Sequence, residues 1–172
     1  MMFLLLVACL DHTPAPGAGE SFVAMQADFS GYTSWDAVSI DAAGDGDSGL
    51  SGHPEGERTV YVNTLPPADA VTFPVGTVIV KSIGGADIHA MVKRGEGFNT
   101  DGAVGWEWFE LVLATDGEPV IKWRGEAPPA GETYGSLPGE PVDSGDALTG
   151  DCNVCHAARS ENDFVHAVSL GE

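Results

Sequence analysis

Five segments rich in β-branched and aromatic residues follow one another closely between residues 58 and 125. They are RTVYVN (58–63), VGTVIVKSI (75–83), DIHAMVKR (87–94), WEWFELVLA (106–114) and IKWRG (121–125). Turn signals such as Gly84 with Gly85, and Asp116 with Gly117, separate them. Because short connections join antiparallel strands and leave no room for crossover helices, we expect one antiparallel sheet.

The residues on either side of these segments have a different pattern. The stretch 21–40 is moderately apolar, contains Phe22, Tyr32 and Trp35, and is interrupted at Gly31, which predicts one or two short helices. Residues 41–57 are rich in glycine and aspartate, and residues 126–150 are rich in proline and glycine. Both stretches are predicted to be loops.

Near the C-terminus the chain contains DCNVCHAARS (151–160), in which Cys152, Cys155 and His156 form the pattern C-x-x-C-H. This is the attachment pattern of a c-type haem, because two thiolates can form thioethers to the ring while the adjacent imidazole ligates the iron. A redox C-x-x-C usually lies in a βαβ unit, which the predicted strands do not form. A zinc site needs a fourth ligand nearby, and the sequence has no second cysteine pair. The motif therefore favours haem over these two alternatives.

The motif and the strands together predict a fold class. Residues 147–158, ALTGDCNVCHAA, are expected to form a short helix with Thr149 or Asp151 as its cap. The predicted class is α+β, mainly β: an antiparallel five-stranded sheet with short N-terminal helices and a C-terminal haem-binding helical segment. At 172 residues, the chain suits a single haem domain (21–172) after a separate N-terminal segment (1–20).

The N-terminal segment begins MMFLLLVACL, a short apolar run that ends in Leu-Val-Ala-Cys. This ending resembles a bacterial lipobox, in which Cys9 carries the lipid, and the following DHTPAPGAGE is predicted to be a flexible tether. The run is shorter than the apolar region of an ordinary signal peptide and too short to span a bilayer. We expect a lipoprotein of the periplasm or outer membrane, attached to the membrane only through Cys9.

The chain is strongly acidic, with 26 acidic and 7 basic residues and a formal net charge of −19. This charge disfavours nucleic acid and anionic membrane surfaces as partners. It suits a small neutral or cationic substrate or a basic redox partner, and it equally suits plain solubility. Six of the basic residues lie in or beside the predicted strands: Arg58, Lys81, Lys93, Arg94, Lys122 and Arg124.

Two of these cations and one histidine share strand faces with apolar residues. By the two-residue period, Lys81 shares a face with Ile79, and Arg58 shares one with Val60. A cation in such a position either extends to the edge of the sheet or meets a specific partner. His89 lies in the middle of its strand, where it is either a structural group or, beside an iron, a general acid–base.

The order of these segments resembles the cytochrome P-460 family and its relatives, the beta-type cytochromes c′. The resemblance runs from about residue 57 to residue 164, through ERTVYVN, FPVGTVIVK, HAMVKRGEGFN with GWEWFEL, and CNVCH followed by NDFV. Members of the family are antiparallel-sheet proteins, commonly homodimers, with one c-type haem on a C-terminal helical segment against the sheet. The resemblance therefore implies haem c as the cofactor and a homodimer.

The resemblance also implies a role for individual residues. Cys152 and Cys155 match the cysteines that form the thioethers, and His156 matches the proximal ligand. Lys81 matches the lysine that, in the P-460 proteins, forms an additional cross-link to a meso carbon of the haem. Arg58 matches the arginine of the distal pocket.

His89 departs from the family pattern. It stands where hydroxylamine-oxidising members have a pocket glutamate proposed as a proton relay. An imidazole also accepts a proton near neutral pH, so the resemblance implies that His89 takes this role.

The function implied is that of a mono-haem cytochrome that oxidises hydroxylamine to nitric oxide or nitrous oxide at an open distal site. A redox partner cytochrome would receive the electrons. Two alternatives remain open. The first is a nitric-oxide-binding protein like cytochrome c′-beta. The second is a simple electron-transfer cytochrome, in which Met91 or His89 supplies a sixth iron ligand.

Overall fold

In a computed structural model, residues 21–40, 57–85, 87–95, 97–129 and 152–170 are described. They contain one antiparallel sheet whose six strands are ordered as they follow in the chain. The strands are β1 (Asp36–Ile40), β2 (Arg58–Val62), β3 (Val78–Ile83), β4 (Asp87–Lys93), β5 (Trp106–Leu113) and β6 (Pro119–Gly125). Short 3-10 helices span Gln26–Phe29, Tyr32–Ser34 and Ser160–Asn162, and one α-helix, α1, spans Cys152–Ala157.

The predicted fold class is wrong in two respects. The described sheet has six strands rather than five, because Asp36–Ile40 pairs with β2 and adds a strand where a helix was expected. The C-terminal helical segment is reduced to α1, which has six residues, and a 3-10 turn of three residues. The protein is thus mainly β with few helices. The predicted caps Thr149 and Asp151, and Cys9 with its lipobox, lie outside the described residues.

Each face of the sheet carries its own hydrophobic cluster, because alternate residues of a strand point to opposite sides. The N-terminal cluster comprises Ala24, Phe29, Tyr32, Val78, Val80, Ile88, Ala90, Val92, Phe109 and Leu111. The motif cluster comprises Val60, Val62, Phe73, Ile79, Met91, Ala103, Trp106, Trp108, Trp123, Val165 and Val168, and Cys152 and Phe164 pack against it. We call the side of the sheet that carries the motif cluster the motif face.

Buried ionic contacts lie on the opposite face, where they fasten the residues around Ala24 to the sheet. Glu107 is buried and accepts hydrogen bonds from Arg94 Nη1 (2.8 Å) and from Arg124 Nε and Nη2 (2.7 and 2.6 Å). Burial acts to raise the pKa of Glu107, but the bonds from Arg124 and Arg94 outweigh it and leave the pKa below its usual value. Arg124 Nη1 also donates to the carbonyl of Ala24, which ties that segment to β6. These two arginines therefore have a structural role.

Candidate functional site

The C-x-x-C-H motif lies on α1, and α1 packs against the motif face. Cys152 and Cys155 are both half-buried, and Cys152 contacts the motif cluster. Residues three apart on an α-helix lie on the same side, so the two thiols face one common region. His156 follows directly and its ring centroid lies 4.6 Å from that of Trp108 on β5. The structure therefore brings the three motif side chains together at the sheet.

Asn153, between the two cysteines, fastens α1 to the sheet and to the turn before β5. Its Oδ1 accepts hydrogen bonds from Asn99 Nδ2 (2.8 Å), the Ala103 amide (3.0 Å) and Trp108 Nε1 (2.9 Å). Its Nδ2 donates to the carbonyl of Glu126 at 2.9 Å. Sequence analysis did not single out Asn153, because no local pattern distinguishes an asparagine that makes four long-range hydrogen bonds from one in solvent.

His156 is held in one orientation by a backbone carbonyl. Its Nδ1 lies 2.6 Å from the carbonyl oxygen of Phe164. Because a carbonyl only accepts, Nδ1 carries the proton and donates it, which leaves the lone pair of the imidazole on Nε2. Burial, with smaller effects from nearby His166 and Lys81, lowers the pKa of His156 to about 3, although the hydrogen bond to the Phe164 carbonyl acts to raise it. The ring is therefore neutral at physiological pH, as a metal ligand must be.

Three charged or titratable side chains form a row across the motif face. Lys81 on β3 lies opposite His89 on β4, and His89 lies opposite Glu110 on β5. Val60 and Trp123, both members of the motif cluster, continue this row at its two ends. Directly opposed residues of antiparallel strands present their side chains on the same face. We call Lys81, His89 and Glu110 the polar row.

The sequence-predicted site residues thus share one side of the sheet. Arg58 is only 2% exposed and lies two residues before Val60, which places it on the motif face as well. Lys81 is close enough to His156 to lower its pKa. The structure therefore brings Arg58, Lys81 and His89 to the face against which α1 packs.

The chemistry of His89 differs from what the sequence suggests. Burial, together with the positive charges of Lys81 and Lys122, lowers its pKa to about 3. The imidazole is therefore uncharged at neutral pH and is a weak proton acceptor there. The carboxylate of Glu110, directly opposite, is a candidate acceptor that sequence reasoning missed.

Glu110 is held in place by two hydrogen bonds from β6. Its Oε1 accepts from Lys122 Nζ at 2.9 Å, and its Oε2 accepts from Trp123 Nε1 at 2.6 Å. The signal was present in the sequence, since Trp106, Trp108 and Glu110 share a face by the two-residue period. The argument that singled out Lys81 on an apolar face applies equally to Glu110.

These donors fit a c-type haem. Two half-buried thiols lie one helical turn apart, and the imidazole beside them is neutral with Nε2 as its lone-pair nitrogen. The hydrogen bond at Nδ1 is the outer contact that haem-ligating and metal-ligating histidines ordinarily make. Cys152 and Cys155 are therefore the residues that could hold the ring, and His156 is the residue that could ligate its iron.

Within the described ranges, no group of three or more histidine, cysteine, aspartate or glutamate side chains is placed to hold a metal ion. Over the same ranges, we find no helix with the length and apolar character needed to cross a bilayer.

Comparison with known proteins gives no match: no protein-family model, no curated protein and no solved structure is similar to this chain. The described residues are therefore characterised by their own architecture: a six-stranded antiparallel sheet with a helix that carries C-x-x-C-H packed on one face.

Proposed function

We propose that the protein is a mono-haem c-type cytochrome of the P-460 type, located in the periplasm or at the outer membrane, that oxidises hydroxylamine to nitric oxide or nitrous oxide. The observation that carries the proposal is the shared motif face. A motif helix with an oriented, neutral His156 packs on the same side of the sheet as Arg58, Lys81 and the rest of the polar row. A haem bound there supplies an iron that exchanges electrons with a small nitrogen compound.

Each protein residue has a distinct part in this proposal. Cys152 and Cys155 would hold the ring through thioethers, and His156 Nε2 would ligate its iron. Arg58 is a buried cation that orients a small polar substrate. Lys81 supplies the amine for the additional covalent link that the family resemblance implies.

The removal of protons from hydroxylamine needs an acceptor in the pocket. We assign this part to Glu110, because carboxylates commonly serve as general bases in enzymes and its two hydrogen bonds fix its position. His89, neutral because its pKa is about 3, serves as a hydrogen-bonding side chain beside it. The electrons pass to a redox partner cytochrome.

The test is to produce the protein in a host with c-type haem maturation and to measure hydroxylamine consumption with an added electron acceptor. We expect covalently bound haem, a strongly red-shifted Soret band after reduction, and turnover well above that of free haem. A haem-containing protein without hydroxylamine turnover would contradict the enzymatic part of the proposal. The matched control is Lys81→Leu, for which we expect an ordinary c-type spectrum.

A second candidate is a nitric-oxide-binding protein like cytochrome c′-beta. The observation that favours it is that His89, between Lys81 and Glu110 in the polar row, has a pKa lowered to about 3 and is a poor general base, and the binding of nitric oxide needs none. This candidate requires an ordinary c-type spectrum, tight nitric oxide binding and no hydroxylamine consumption. A low-spin spectrum that does not respond to nitric oxide would instead indicate simple electron transfer.

A further inference from the structure

We propose that a buried ion pair between Lys93 and Asp163 positions the imidazole of His156 and thereby sets the electron-donating strength of its Nε2. The inference rests on the proposed haem ligation by His156. It adds two positioning residues that lie away from the polar row and that the C-x-x-C-H motif does not contain.

Lys93 and Asp163 form a buried ion pair. Lys93 Nζ lies 2.7 Å from Asp163 Oδ1, and the two side chains are only 10% and 6% exposed. Asp163 Oδ2 accepts a second bond from the amide of Phe73 at 2.8 Å, and Lys93 Nζ also donates to the carbonyl of Val104 at 3.2 Å. The ammonium lies 5.0 Å from the ring centroid of Trp106. A buried pair with these additional contacts has one well-defined geometry, because each remaining polar atom is also satisfied.

The backbone at Asp163 has an unusual conformation. Asp163 and Phe164 both have left-handed φ angles, 51° and 68°. This region is energetically unfavourable for two consecutive non-glycine residues, and such a conformation persists only where surrounding contacts fix it. The contacts that fix it are the ion pair, the Phe73 amide and Trp106 Nε1, which donates to the Asp163 carbonyl at 2.8 Å.

This backbone is in direct contact with His156, the proposed iron ligand. The carbonyl that accepts the proton of His156 Nδ1 belongs to Phe164, the residue directly after Asp163. Its direction is set by the left-handed backbone that the ion pair holds. A strong acceptor at Nδ1 increases the basicity of Nε2 and fixes the plane of the ring. Lys93, at the end of β4, thus acts on His156 through Asp163 and the Phe164 carbonyl.

The alternative is that the pair only anchors the C-terminal residues to the sheet. A purely structural pair would affect the free energy of unfolding but would leave the bond between His156 and the iron unchanged. The two possibilities therefore differ in properties of the haem rather than in stability.

The experiment uses the haem-loaded full chain with Asp163→Asn. Asparagine keeps an acceptor for the Phe73 amide and tolerates a left-handed φ, but it removes the charge that binds Lys93. The matched control is Glu161→Gln, the same acid-to-amide change on an exposed side chain two residues away. The readouts are the iron–histidine stretching frequency of the reduced protein, the reduction potential and thermal unfolding.

We expect Asp163→Asn to lower the stretching frequency and to make the reduction potential more positive, while Glu161→Gln leaves both unchanged. If Asp163→Asn does not retain haem, the double variant Lys93→Met with Asp163→Asn removes the buried charge as well, and the same two shifts are expected. A lower unfolding temperature with an unchanged frequency and potential would overturn the positioning role and leave the proposed function intact. Wild-type protein that carries no haem would overturn both.

Discussion

His89 is an imidazole whose chemistry is set by its neighbours rather than by its own ring. Burial and two nearby ammonium groups, those of Lys81 and Lys122, lower its pKa to about 3. A histidine in solvent has a pKa near 6.5, so folding withdraws this residue from proton exchange at physiological pH. A histidine in a sequence therefore predicts a proton acceptor only if its surroundings are known.

The shifted pKa of His89 has a consequence for stability. Because its pKa is lower in the folded state, stability is fully present above about pH 6.5 and is lost as the pH falls toward about 3, where the unfolded chain binds the proton and the folded one does not. We expect His89→Gln to remove a component of about 2 kcal/mol from the difference in unfolding free energy between pH 7 and pH 5.

Urea unfolding of both proteins at the two pH values measures this component. Lys81, Lys122 and Glu110 face His89 and remain in both proteins, so their own contributions cancel to first order. If the unfolding free energy of the two proteins depends equally on pH, the pKa of His89 is not lowered by folding.

The proposed role of Glu110 can be tested by replacing its carboxylate. If it accepts the substrate protons, Glu110→Gln should slow hydroxylamine turnover by about 100-fold, the lower end of what general bases contribute. Glutamine still accepts a hydrogen bond from Trp123, so the contact between β5 and β6 at this position is kept. Glu118→Gln, on an exposed glutamate beside β6, is the control. Steady-state kinetics that show full activity for Glu110→Gln and slow turnover for His89→Ala would return the role to His89.

Among the secondary-structure elements, α1 depends most on contacts that are distant in sequence. Asn153 fixes it, and Gly102 makes room for Asn153, because a Cβ atom at residue 102 would overlap the side-chain amide of Asn153. The turn before β5, which contains Gly102, and the residue after β6, Glu126, thereby both contact the motif helix through Asn153.

This close approach makes Gly102→Ala a test of helix docking. The added methyl group must displace the Asn153 side chain, so we expect a loss of about 1–3 kcal/mol in unfolding free energy, typical of overpacking. In an Asn153→Ala background the three atoms nearest to the added methyl group, all from the Asn153 amide, are absent, and the same change should cost much less. Chemical unfolding of the four proteins forms a double-mutant cycle. If Gly102→Ala lowers the unfolding free energy equally in both backgrounds, the loss does not arise from a clash with Asn153.

The strands also show where sequence patterns succeed and fail. Strands β2 to β6 overlap the five segments rich in β-branched and aromatic residues, and the strand that was missed is β1. Five residues, DAVSI, are too few to establish a two-residue period, and their partner β2 lies beyond the predicted loop 41–57. Pairing of this kind is decided by the partner strand rather than by local preference.

The same distinction applies to the candidate site. C-x-x-C-H is local, and it identified Cys152, Cys155 and His156. Lys81 was noticed because a cation stood on an apolar face. The carbonyl of Phe164, the anchor Asn153 and the pair of Lys93 with Asp163 join residues far apart in the sequence, and only the folded chain brings them together.

For the molecule as a whole, the net charge of −19 bears on its partner. A basic cytochrome would be attracted at long range, and salt screens such attraction. We expect the rate of electron transfer to a basic partner to fall as the ionic strength rises, and the rate with a small neutral acceptor to change little. Stopped-flow measurement with both acceptors checks this, and equal salt dependence would argue against a steered encounter.

The central claim is that a haem is bound covalently at α1 and meets Lys81 on the motif face. Mass spectrometry of the digested, haem-matured protein tests it most directly. We expect one haem joined to the peptide that contains Cys152 and Cys155, and also to the peptide that contains Lys81. Haem on the cysteines alone would contradict the cross-link, and peptides of unmodified mass at both places would contradict the claim entirely.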